Sequence, residues 1–391
     1  MQGSSWGCEK THDRVRSGML RTTTGIGLLL FASSAVLACG GGAGGSGGGG
    51  GSAGSGGAGG REPEFEEFAW RINTPDVRTE RLCVEAAAPD DALDTTFIDC
   101  ELEGATFSNQ DEPPKDELVV LAYNILRGFE VDAQLDWITG GIDLPIPDVL
   151  LLSEVDRGCQ RTDFRNIARD YAERLGYYYV YATEFLELPA NRGTMGPYDP
   201  PVCEHGNAIV SRFPLGDVRP IRHAQNRSWY TPPGAPDPDE PRLGGRIAIA
   251  ADAKIGSRLV RLYAMHLEST LTALDIRDAQ AEEIAADSEG VTHPVIAGGD
   301  LNTFFYFDDL DKGTLNEPAV RSFLERGYSD AHQNLPLDQR YTSFDPFPMV
   351  IDLILTKNLE IISAGRCAPE RCGSLSDHLP VFARVRGVLG D

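Results

Sequence analysis

From residue 116 onward, apolar runs of strand length alternate with stretches whose apolar residues recur at helical spacing. The runs 118–125 and 149–155 are continuously apolar, as expected of strands that are covered on both faces. Residues 164–175 repeat apolar side chains at three- and four-residue intervals, which predicts an amphipathic helix. The same patterns predict further strands at 177–183, 206–211, 246–253, 258–266, 294–298, 350–356, 359–364 and 379–385, and helices at 271–286 and 317–325. We therefore expect an α/β domain in which two sheets pack together with helices outside.

The first 60 residues have the composition of an export signal followed by a tether. Three arginines precede an uncharged apolar run at 25–38, as in a secretory signal. This run is shorter than the ~20 residues of a membrane-spanning helix, so an uncleaved anchor is the weaker alternative. Residues 40–60 are only Gly, Ala and Ser, so they cannot build a core and are expected to form a flexible coil.

The signal ends in Val36-Leu37-Ala38-Cys39-Gly40, which resembles the lipobox of bacterial lipoproteins. The resemblance implies cleavage before Cys39 and a lipid on its sulfur, and a plain signal peptide is the alternative. Gly40 rather than Asp after Cys39 implies the outer membrane, if the organism has one. The predicted segments are a signal peptide at 1–38, a lipidated cysteine and tether at 39–60, an acidic extension with strand-like runs at 61–115, and a folded domain at 116–391.

Composition excludes several classes of protein. The chain has 59 acidic and 35 basic residues, for a formal net charge of −24 at pH 7. A general nucleic-acid coat or a binder of anionic membranes needs a positive field, so both are disfavoured. Apolar residues make up 41% of the chain, which is ordinary for a globular protein and argues against wholesale disorder.

The eight cysteines fit an exported protein. Apart from Cys8 in the signal and Cys39 at the lipid site, an even six remain, and six cysteines allow 15 connectivities. A zinc site is the alternative, but the chain has no CxxC pair and no histidine at a matching spacing. From proximity and loop position we predict the disulfides 83–100, 159–203 and 367–372.

Polar side chains capable of chemistry fall where the predicted apolar strands end. Asn124 and Glu154 end two of the strands, and His266 ends a third. The remaining members of the set are Asp300, Asn302, Asp352, Asp377 and His378. Each residue alone has an ordinary interpretation, as a turn former, a solvated strand end or a hydrogen-bonded histidine. A structural core does not require the whole set, so together these residues indicate a functional site.

The residue types in this set favour one kind of chemistry. Carboxylate and amide oxygens without cysteine favour hard cations, magnesium or manganese, over zinc. Two histidines near carboxylates suit acid–base work or the stabilisation of a transition state. A hard metal, a carboxylate that orients water and nearby imidazoles together indicate a site for phosphoryl hydrolysis.

Seven short runs combine the apolar strands with these polar residues. They are LAYNIL (121–126), LLLSEVDR (150–157), HGNAIVSRFP (205–214), MHLEST (265–270), GGDLNT (298–303), VIDLIL (350–355) and SDHLPV (376–381). In this order they resemble the endonuclease/exonuclease/phosphatase superfamily, the fold of DNase I. The resemblance implies a four-layer sandwich of two mostly antiparallel sheets flanked by helices. It also implies a phosphoester hydrolase that uses Mg²⁺, with Mn²⁺ as a possible substitute.

The resemblance assigns three residues to a metal site. Asn124 and Glu154 resemble metal-site residues of the family, and Glu154 resembles the principal magnesium ligand. Asp377 resembles a second carboxylate near the metal.

Five further residues resemble the family's catalytic groups. Asp300 resembles the residue that orients or deprotonates the attacking water, and Asn302 the amide that holds a phosphate oxygen and the nucleophile. His266 resembles a phosphate-contacting histidine. His378 resembles the histidine that stabilises the transition state, and Asp352 the carboxylate that orients it.

Basic and aromatic residues near these runs have two interpretations each. Arg157 and Arg161 follow Glu154 closely and are candidates for phosphate contact. The helical arginines at 165, 169 and 174 are better explained as a solvated face. Trp229 and Tyr230 are candidates to stack a base or meet a lipid, and capping of a local cluster is an equal alternative.

Three functions remain open from the sequence. The leading one is a magnesium-dependent nuclease or nucleotide-type phosphodiesterase at the cell envelope. The second is a hydrolase of lipid headgroups that resembles sphingomyelinases or phosphoinositide phosphatases. The third is an inactive binding module. We expect a monomer whose partner is a phosphate-ester substrate and which meets the membrane only through Cys39.

Overall fold

The computed structural model describes residues 65–69, 80–83, 98–109, 112–142, 145–187, 203–227, 229, 242–303, 317–344 and 347–389. All of them belong to one compact unit, 61–391. The predicted signal peptide, Cys39 and the tether lie outside the described residues. Among the helices that are described, none has the length and apolarity to cross a bilayer.

The described residues form fourteen strands and five α-helices. The strands are β1 (Glu103–Thr106), β2 (Glu117–Arg127), β3 (Val149–Arg157), β4 (Tyr178–Glu187), β5 (Cys203–Ser211), β6 (Leu215–Arg222), β7 (Arg242–Gly244), β8 (Ile247–Ile255), β9 (Arg258–His266), β10 (Val295–Asp300), β11 (Ser329–Asp330), β12 (Asp352–Lys357), β13 (Glu360–Arg366) and β14 (Val381–Arg386). The helices are α1 (Val131–Gly140), α2 (Ile167–Leu175), α3 (Leu274–Asp287), α4 (Pro318–Leu324) and α5 (Pro369–Cys372).

The strands build two sheets. The first has the order β1-β4-β5-β3-β2-β14-β13, with β7 paired to β4, and the second has the order β11-β12-β10-β9-β8-β6. The pairs β2–β3 and β9–β10 are parallel, and the other strand pairs of the two described sheets are antiparallel. The prediction of two mostly antiparallel sheets is confirmed.

Strand β2 shows why its apolar run is continuous. Leu118, Val120 and Ala122 face a core shared with the second sheet. The residues between them, such as Val119 and Leu121, face a core shared with α1 and α2. Because neighbouring side chains of a strand point to opposite faces, a strand buried on both sides needs apolar residues throughout.

The second sheet is covered in the same way. Its outer face packs Tyr263 and Met265 against Ala281 of α3 and Phe323 of α4. The layers therefore run helix, sheet, sheet, helix, and the predicted four-layer sandwich is confirmed.

Several short or edge elements had signals too weak to predict, and α1 and β6 show why. Helix α1 buries Val131, Leu135 and Ile138, but Glu130 at its N-terminus forms no side-chain cap. Strand β6 is an edge strand that contains Pro220 and is mostly half-exposed, so it lacks a clear alternation.

All three predicted disulfides are present: 83–100, 159–203 and 367–372. The first lies within the predicted extension, where Cys83 and Cys100 also form a backbone bridge. Strand β1, from the same extension, pairs with β4 and adds an edge strand to the first sheet.

Candidate active site

Strand register brings three of the predicted residues side by side at one edge of the second sheet. Asp300 ends β10 and lies directly opposite His266, which ends the parallel strand β9. On its other side Asp300 lies opposite Asp352, which begins the antiparallel strand β12. An end of β9, an end of β10 and a start of β12 therefore meet at this edge, and we call it the second-sheet edge.

The Asp300 carboxylate is the centre of a contact network. Its Oδ2 lies 3.5 Å from Nε2 of His266 and 3.8 Å from Nε2 of His378. Asn124, which lies in β2 where its ladder with β3 breaks, donates from Nδ2 to the same oxygen at 3.1 Å. The network therefore joins the first sheet to the second. The Asp300 side chain is only 2% exposed.

Burial and charge set the protonation of this carboxylate. Burial raises the pKa of Asp300 above its usual value, and His378 opposes the rise. The neighbouring Asp352 carboxylate raises the pKa of Asp300 further. A carboxylate with a raised pKa is better able to take a proton from water near neutral pH.

His378 is held by a second carboxylate. Its Nδ1 lies 2.8 Å from Oδ2 of Asp352, which is itself buried and accepts no other side-chain bond at Oδ1. Burial alone would lower the pKa of His378, but Asp352 and Asp300 raise it well above the ordinary value. The two carboxylates therefore favour the protonated form of His378, with Nδ1 held on Asp352 and Nε2 facing Asp300.

The opposite rim is formed by the ends of β2 and β3, and we call it the first-sheet edge. The ladder between these strands breaks after Asn124, and the ladder between β3 and β5 breaks after Leu152. Leu126, Arg127 and Glu154 have positive φ angles of 47°, 64° and 54°. Such left-handed backbone in non-glycine residues is strained and is often found at functional sites.

Glu154 is a charged carboxylate at this edge. Burial alone would raise the pKa of Glu154, but His205 and His266, when protonated, and the guanidiniums of Arg127 and Arg246 lower it well below its usual range. The side chain is half-buried, so it keeps access to the cleft.

Asn302 is fixed by contacts on both its backbone and its side chain. Its N–H donates to Oδ1 of Asp300 at 2.9 Å, and its Nδ2 donates to the carbonyl of Leu267 at 3.0 Å. Arg277 donates to the carbonyl of Asn302 and pairs with Glu317 at 2.6 Å. Arg277 therefore supports the loop from within α3.

Backbone geometry explains why the second residue of the GGDLNT run is a glycine. Gly299 has φ of 142°, and a Cβ there would lie 1.9 Å from the carbonyl oxygen of Met265. Only glycine lets β10 approach β9 this closely, so the motif sets the position of Asp300 beside His266.

Ser376 ties the SDH loop to the first sheet. Its Oγ donates to the carbonyl of Asn124 at 2.8 Å and accepts from the N–H of His378 at 3.1 Å. Asp377 is exposed, and its described hydrogen bond is from Ser376 at 3.3 Å. Asp377 thus lies at the entrance, while His378 points inward.

The structure therefore brings most of the predicted set together. One network of short contacts joins Asn124, His266, Asp300, Asn302, Asp352 and His378. Glu154 interacts electrostatically with residues of this network, and Asp377 lies at its exposed rim. The roles assigned to these residues stay predictions.

Sequence reasoning missed a buried group behind His266. Glu184 of β4 is fully buried and accepts from Nδ2 of Asn207 at 3.2 Å and from Arg246 at 3.3 Å. Burial alone would raise the pKa of Glu184, but His266, when protonated, and Arg246 lower it. Asn207 belongs to the HGN run, so the sequence pointed to one contact of Glu184. No sequence pattern pointed to Arg246.

The arginines that follow Glu154 are paired within the protein. Arg157 is 2% exposed and forms ion pairs with Glu103 at 2.6 Å and Glu204 at 2.8 Å. Arg161 makes a two-pronged contact with Asp156 at 2.6 and 2.8 Å. The burial of Arg157 among carboxylates argues against its interpretation as a phosphate contact, whereas Arg161 is exposed as well as paired, so its interpretation stays a prediction.

The structure also bears on the interpretations of the helical arginines and of Trp229. The helical arginines pair with neighbouring carboxylates, as a solvated face does. Trp229 packs edge-on against Phe185 with ring centroids 5.6 Å apart, which favours capping of a local cluster. Tyr230 lies outside the described residues.

The donor set fits a hard divalent cation. Among the described residues, one group of ligand atoms, those of Asp300, Asp352 and His378, lies within 4.8 Å of one another, but Asp352 already holds Nδ1 of His378 at 2.8 Å. Oδ1 of Asp352 is buried without a hydrogen-bond partner, and Glu154 is an ionised carboxylate. Oxygen donors of this kind suit Mg²⁺ or Mn²⁺.

Comparison with known proteins agrees with this chemistry. Residues 121–378 match the Endonuclease/Exonuclease/phosphatase family. Endonucleases, exonucleases and phosphatases all hydrolyse phosphate esters, so this is a family of phosphoester hydrolases. The chain belongs to the Endonuclease/Exonuclease/phosphatase family. A search of curated proteins found no match.

Solved structures resemble the fold. An endonuclease/exonuclease/phosphatase from Beutenbergia cavernae DSM 12333 is 17% identical with a TM-score of 0.49, over 70% of this chain and 72% of that chain. A family protein from Leptotrichia buccalis C-1013-b is 16% identical with a TM-score of 0.47, over 68% and 98%. The human Nocturnin catalytic domain with bound sulfate is 19% identical with a TM-score of 0.46, over 73% and 97%. These similarities concern the fold alone.

Proposed function

We propose that this protein is a metal-dependent phosphodiester hydrolase at the cell envelope, acting on nucleic acid or a nucleotide-type diester. The observation that carries the proposal is the buried Asp300 carboxylate, which Asn124, His266 and His378 surround while Asp352 holds His378. A base of raised pKa beside an imidazolium suits attack of water on phosphorus.

The residues divide the reaction among them. Asp300 takes a proton from the attacking water as the new phosphorus–oxygen bond forms, and Asn302 holds a phosphate oxygen. His266 donates a hydrogen bond to the phosphate. His378 stabilises the added negative charge and passes a proton to the leaving oxygen as its bond to phosphorus breaks.

A bound Mg²⁺ would neutralise phosphate charge and polarise the phosphorus–oxygen bonds. Glu154 and Asn124 would hold it at the first-sheet edge, with Asp377 nearby, and Mn²⁺ would be a substitute. The oxygen donors of these residues match the preference of both cations.

A substrate panel tests the proposal. The purified chain is offered single- and double-stranded DNA, RNA, dinucleotides, sphingomyelin and phosphoinositides with Mg²⁺, with Mn²⁺ and with EDTA. The matched variants are Asp300→Asn and Asp132→Asn, since Asp132 is an exposed carboxylate on α1. We expect cleavage of a nucleic acid or dinucleotide that needs metal and Asp300 but not Asp132. A lack of hydrolysis of every phosphate ester in the panel would contradict the proposal.

One observation favours a lipid headgroup as the second candidate. Among the described residues, six large apolar side chains are exposed, and four of them lie on loops at the catalytic end. Phe129 follows β2, Leu271 follows β9, and Phe344 and Phe347 precede β12. An apolar rim suits an uncharged lipid surface, which a chain of net charge −24 would not be repelled from.

Vesicle binding separates the two candidates. The variant Phe129→Ser/Phe344→Ser is compared with Ile142→Ser/Ile146→Ser, whose exposed side chains precede β3 at the other end of the sandwich. Loss of binding to phosphatidylcholine–sphingomyelin vesicles by the first variant alone, with headgroup release, would move the protein to the lipid candidate. Equal binding by both would keep the nucleic-acid proposal.

The cellular location of the protein is also a proposal. We propose that Cys39 carries the lipid, that residues 40–60 tether a monomeric domain, and that the outer membrane holds it in an organism that has one. Metabolic labelling with palmitate checks this. We expect Cys39→Ser to lose the label and Cys8→Ser to keep it.

A further inference from the structure

Arg246, directly before β8, contacts His266 at the ring nitrogen that does not face Asp300. Its Nη1 lies 2.7 Å from Nδ1 of His266, and its Nη2 donates to Oγ of Ser269 at 3.3 Å. Arg246 is only 3% exposed, so solvent does not compete for these contacts.

The Arg246 contact fixes where the proton of His266 lies. A guanidinium keeps its protons at any pH a protein experiences, so Nη1 is the donor and Nδ1 must accept. A neutral imidazole has one donor nitrogen and one acceptor nitrogen. The hydrogen of His266 is therefore on Nε2, which lies 3.5 Å from Oδ2 of Asp300 and faces the cleft.

Glu184 lies farther from the ring than Arg246 does. Its Oε2 is 3.6 Å from Nδ1 of His266, whereas Nη1 of Arg246 is 2.7 Å from the same nitrogen. The Glu184 carboxylate accepts from Asn207 at 3.2 Å and from Arg246 at 3.3 Å. Glu184 therefore compensates the charge of Arg246, and Arg246 orients the histidine.

The surrounding chain holds the guanidinium in place. Its centre lies 5.4 Å from the Phe185 ring and 5.1 Å from the Trp229 ring, a cation–π arrangement on both. Gly244 has φ of 116°, and a Cβ there would lie 2.1 Å from the carbonyl oxygen of Glu184. The glycine lets the backbone pass close to Glu184, so the next residues deliver Arg246 beside it.

We propose that Arg246 is a positioning residue that holds His266 as the neutral tautomer with its proton on Nε2. In this state His266 gives a hydrogen bond to the phosphate and does not act as the proton donor to the leaving group. That role in hydrolysis rests on the proposed function, but the tautomer itself does not.

The tautomer is measured without any substrate. The chain is labelled with ¹⁵N at histidine, and two-bond ¹H–¹⁵N correlation spectra are recorded near neutral pH, with His266→Gln to assign the ring. We expect Nε2 of His266 to carry the proton and Nδ1 to resonate as an acceptor nitrogen. A ring protonated on Nδ1, or on both nitrogens, would overturn the proposal.

Two matched variants isolate Arg246. Arg246→Lys keeps a positive charge but cannot reach Nδ1, Glu184 and Ser269 together. Arg242→Lys is the control, because Arg242 lies over the same Phe185 and Trp229 rings at 5.0 and 5.6 Å and pairs with Glu187 at 3.1 Å. We expect mixed tautomers in Arg246→Lys and an unchanged ring in Arg242→Lys. An unchanged ring in both would overturn the proposal.

A kinetic arm uses bis(4-nitrophenyl) phosphate with Mg²⁺. We expect Arg246→Lys to lower kcat about 10- to 100-fold with little change in KM, since orientation and not binding is lost. Arg242→Lys should keep kcat. An equal loss in both variants would reduce Arg246 to a structural residue. Failure of the wild-type protein to turn over any diester would sink the proposed function and leave the spectra to decide the tautomer.

Discussion

The two edges that face each other across the cleft are built by different means. On the second-sheet edge, His266, Asp300 and Asp352 lie directly opposite one another on ladders without a break. On the first-sheet edge the β2–β3 ladder shifts register after Asn124, and Glu154 has a left-handed φ of 54°. Regular pairing places His266, Asp300 and Asp352, whereas left-handed backbone places Glu154 on the first-sheet edge and Asn302, with a φ of 52°, just beyond the end of β10.

The difference indicates a division of work between the edges. Regular register fixes the distances among the base and the histidines, which proton transfer needs. A bulge turns Glu154 out of the alternation of its strand, which aims a carboxylate into the cleft where a cation would lie. We infer that proton chemistry belongs to the second-sheet edge and metal binding to the first-sheet edge.

The largest expected effect is at the centre of the second-sheet edge. Asp300→Asn removes the base while the amide keeps the shape, so we expect kcat to fall about 10³-fold or more. Diester hydrolysis with saturating Mg²⁺ measures it. The thermal unfolding midpoint serves as the control for folding, and a variant with more than a tenth of the wild-type kcat would remove Asp300 from the role of base.

The second effect is on the partner of His378. Asp352→Asn removes a charge that raises the pKa of His378, so kcat should fall by about 10²-fold. Activity that needs the imidazolium is lost as pH rises through the pKa of His378. The alkaline limb of the pH–rate profile should therefore move to lower pH in the variant. A limb that stays in place would contradict the pairing.

The third effect tests the register itself. Gly299→Ala puts a Cβ against the Met265 carbonyl at a φ of 142°, so we expect a loss of about 3 kcal/mol in the free energy of unfolding. Urea unfolding measures it. Gly290→Ala is the control, because a Cβ there meets nothing within 4 Å. Equal stability of the two variants would show that the ladder tolerates this change.

The smallest effect is expected at the strained edge. Glu154→Gln keeps the side-chain shape but removes the negative charge, so the apparent affinity for Mg²⁺ should fall about 10- to 100-fold. The rate at saturating metal should fall less than in Asp300→Asn. Titration of activity against Mg²⁺ measures both quantities, and an unchanged affinity would move the metal away from this edge.

The regular edge was the predictable one. The apolar run of β9 ends at His266 in the sequence and in the structure, and the polar residues that follow β10 gave the position of Asp300. Alternation and strand ends are local signals, and they gave two packed sheets with helices outside. The four-layer sandwich came from the family resemblance, and the disulfides came from proximity and loop position.

The strained edge and the buried partners were not predictable in the same way. Nothing local in the sequence requires Glu154 to be left-handed or pairs Arg157 with Glu103, which is 54 residues away. Arg246 reaches His266 only because the strand pairs of the second sheet bring them together. Contacts of this kind depend on tertiary packing, which a pattern of apolar positions does not encode.

The division between the edges is tested most directly by metal binding in two variants. Mn²⁺ is titrated into Asp300→Asn and Glu154→Gln, and free Mn²⁺ is followed by electron paramagnetic resonance. We predict that Asp300→Asn binds Mn²⁺ close to wild-type affinity although it does not turn over, whereas Glu154→Gln binds it at least tenfold more weakly. The reverse result would place the cation among Asp300, Asp352 and His378 and contradict the account.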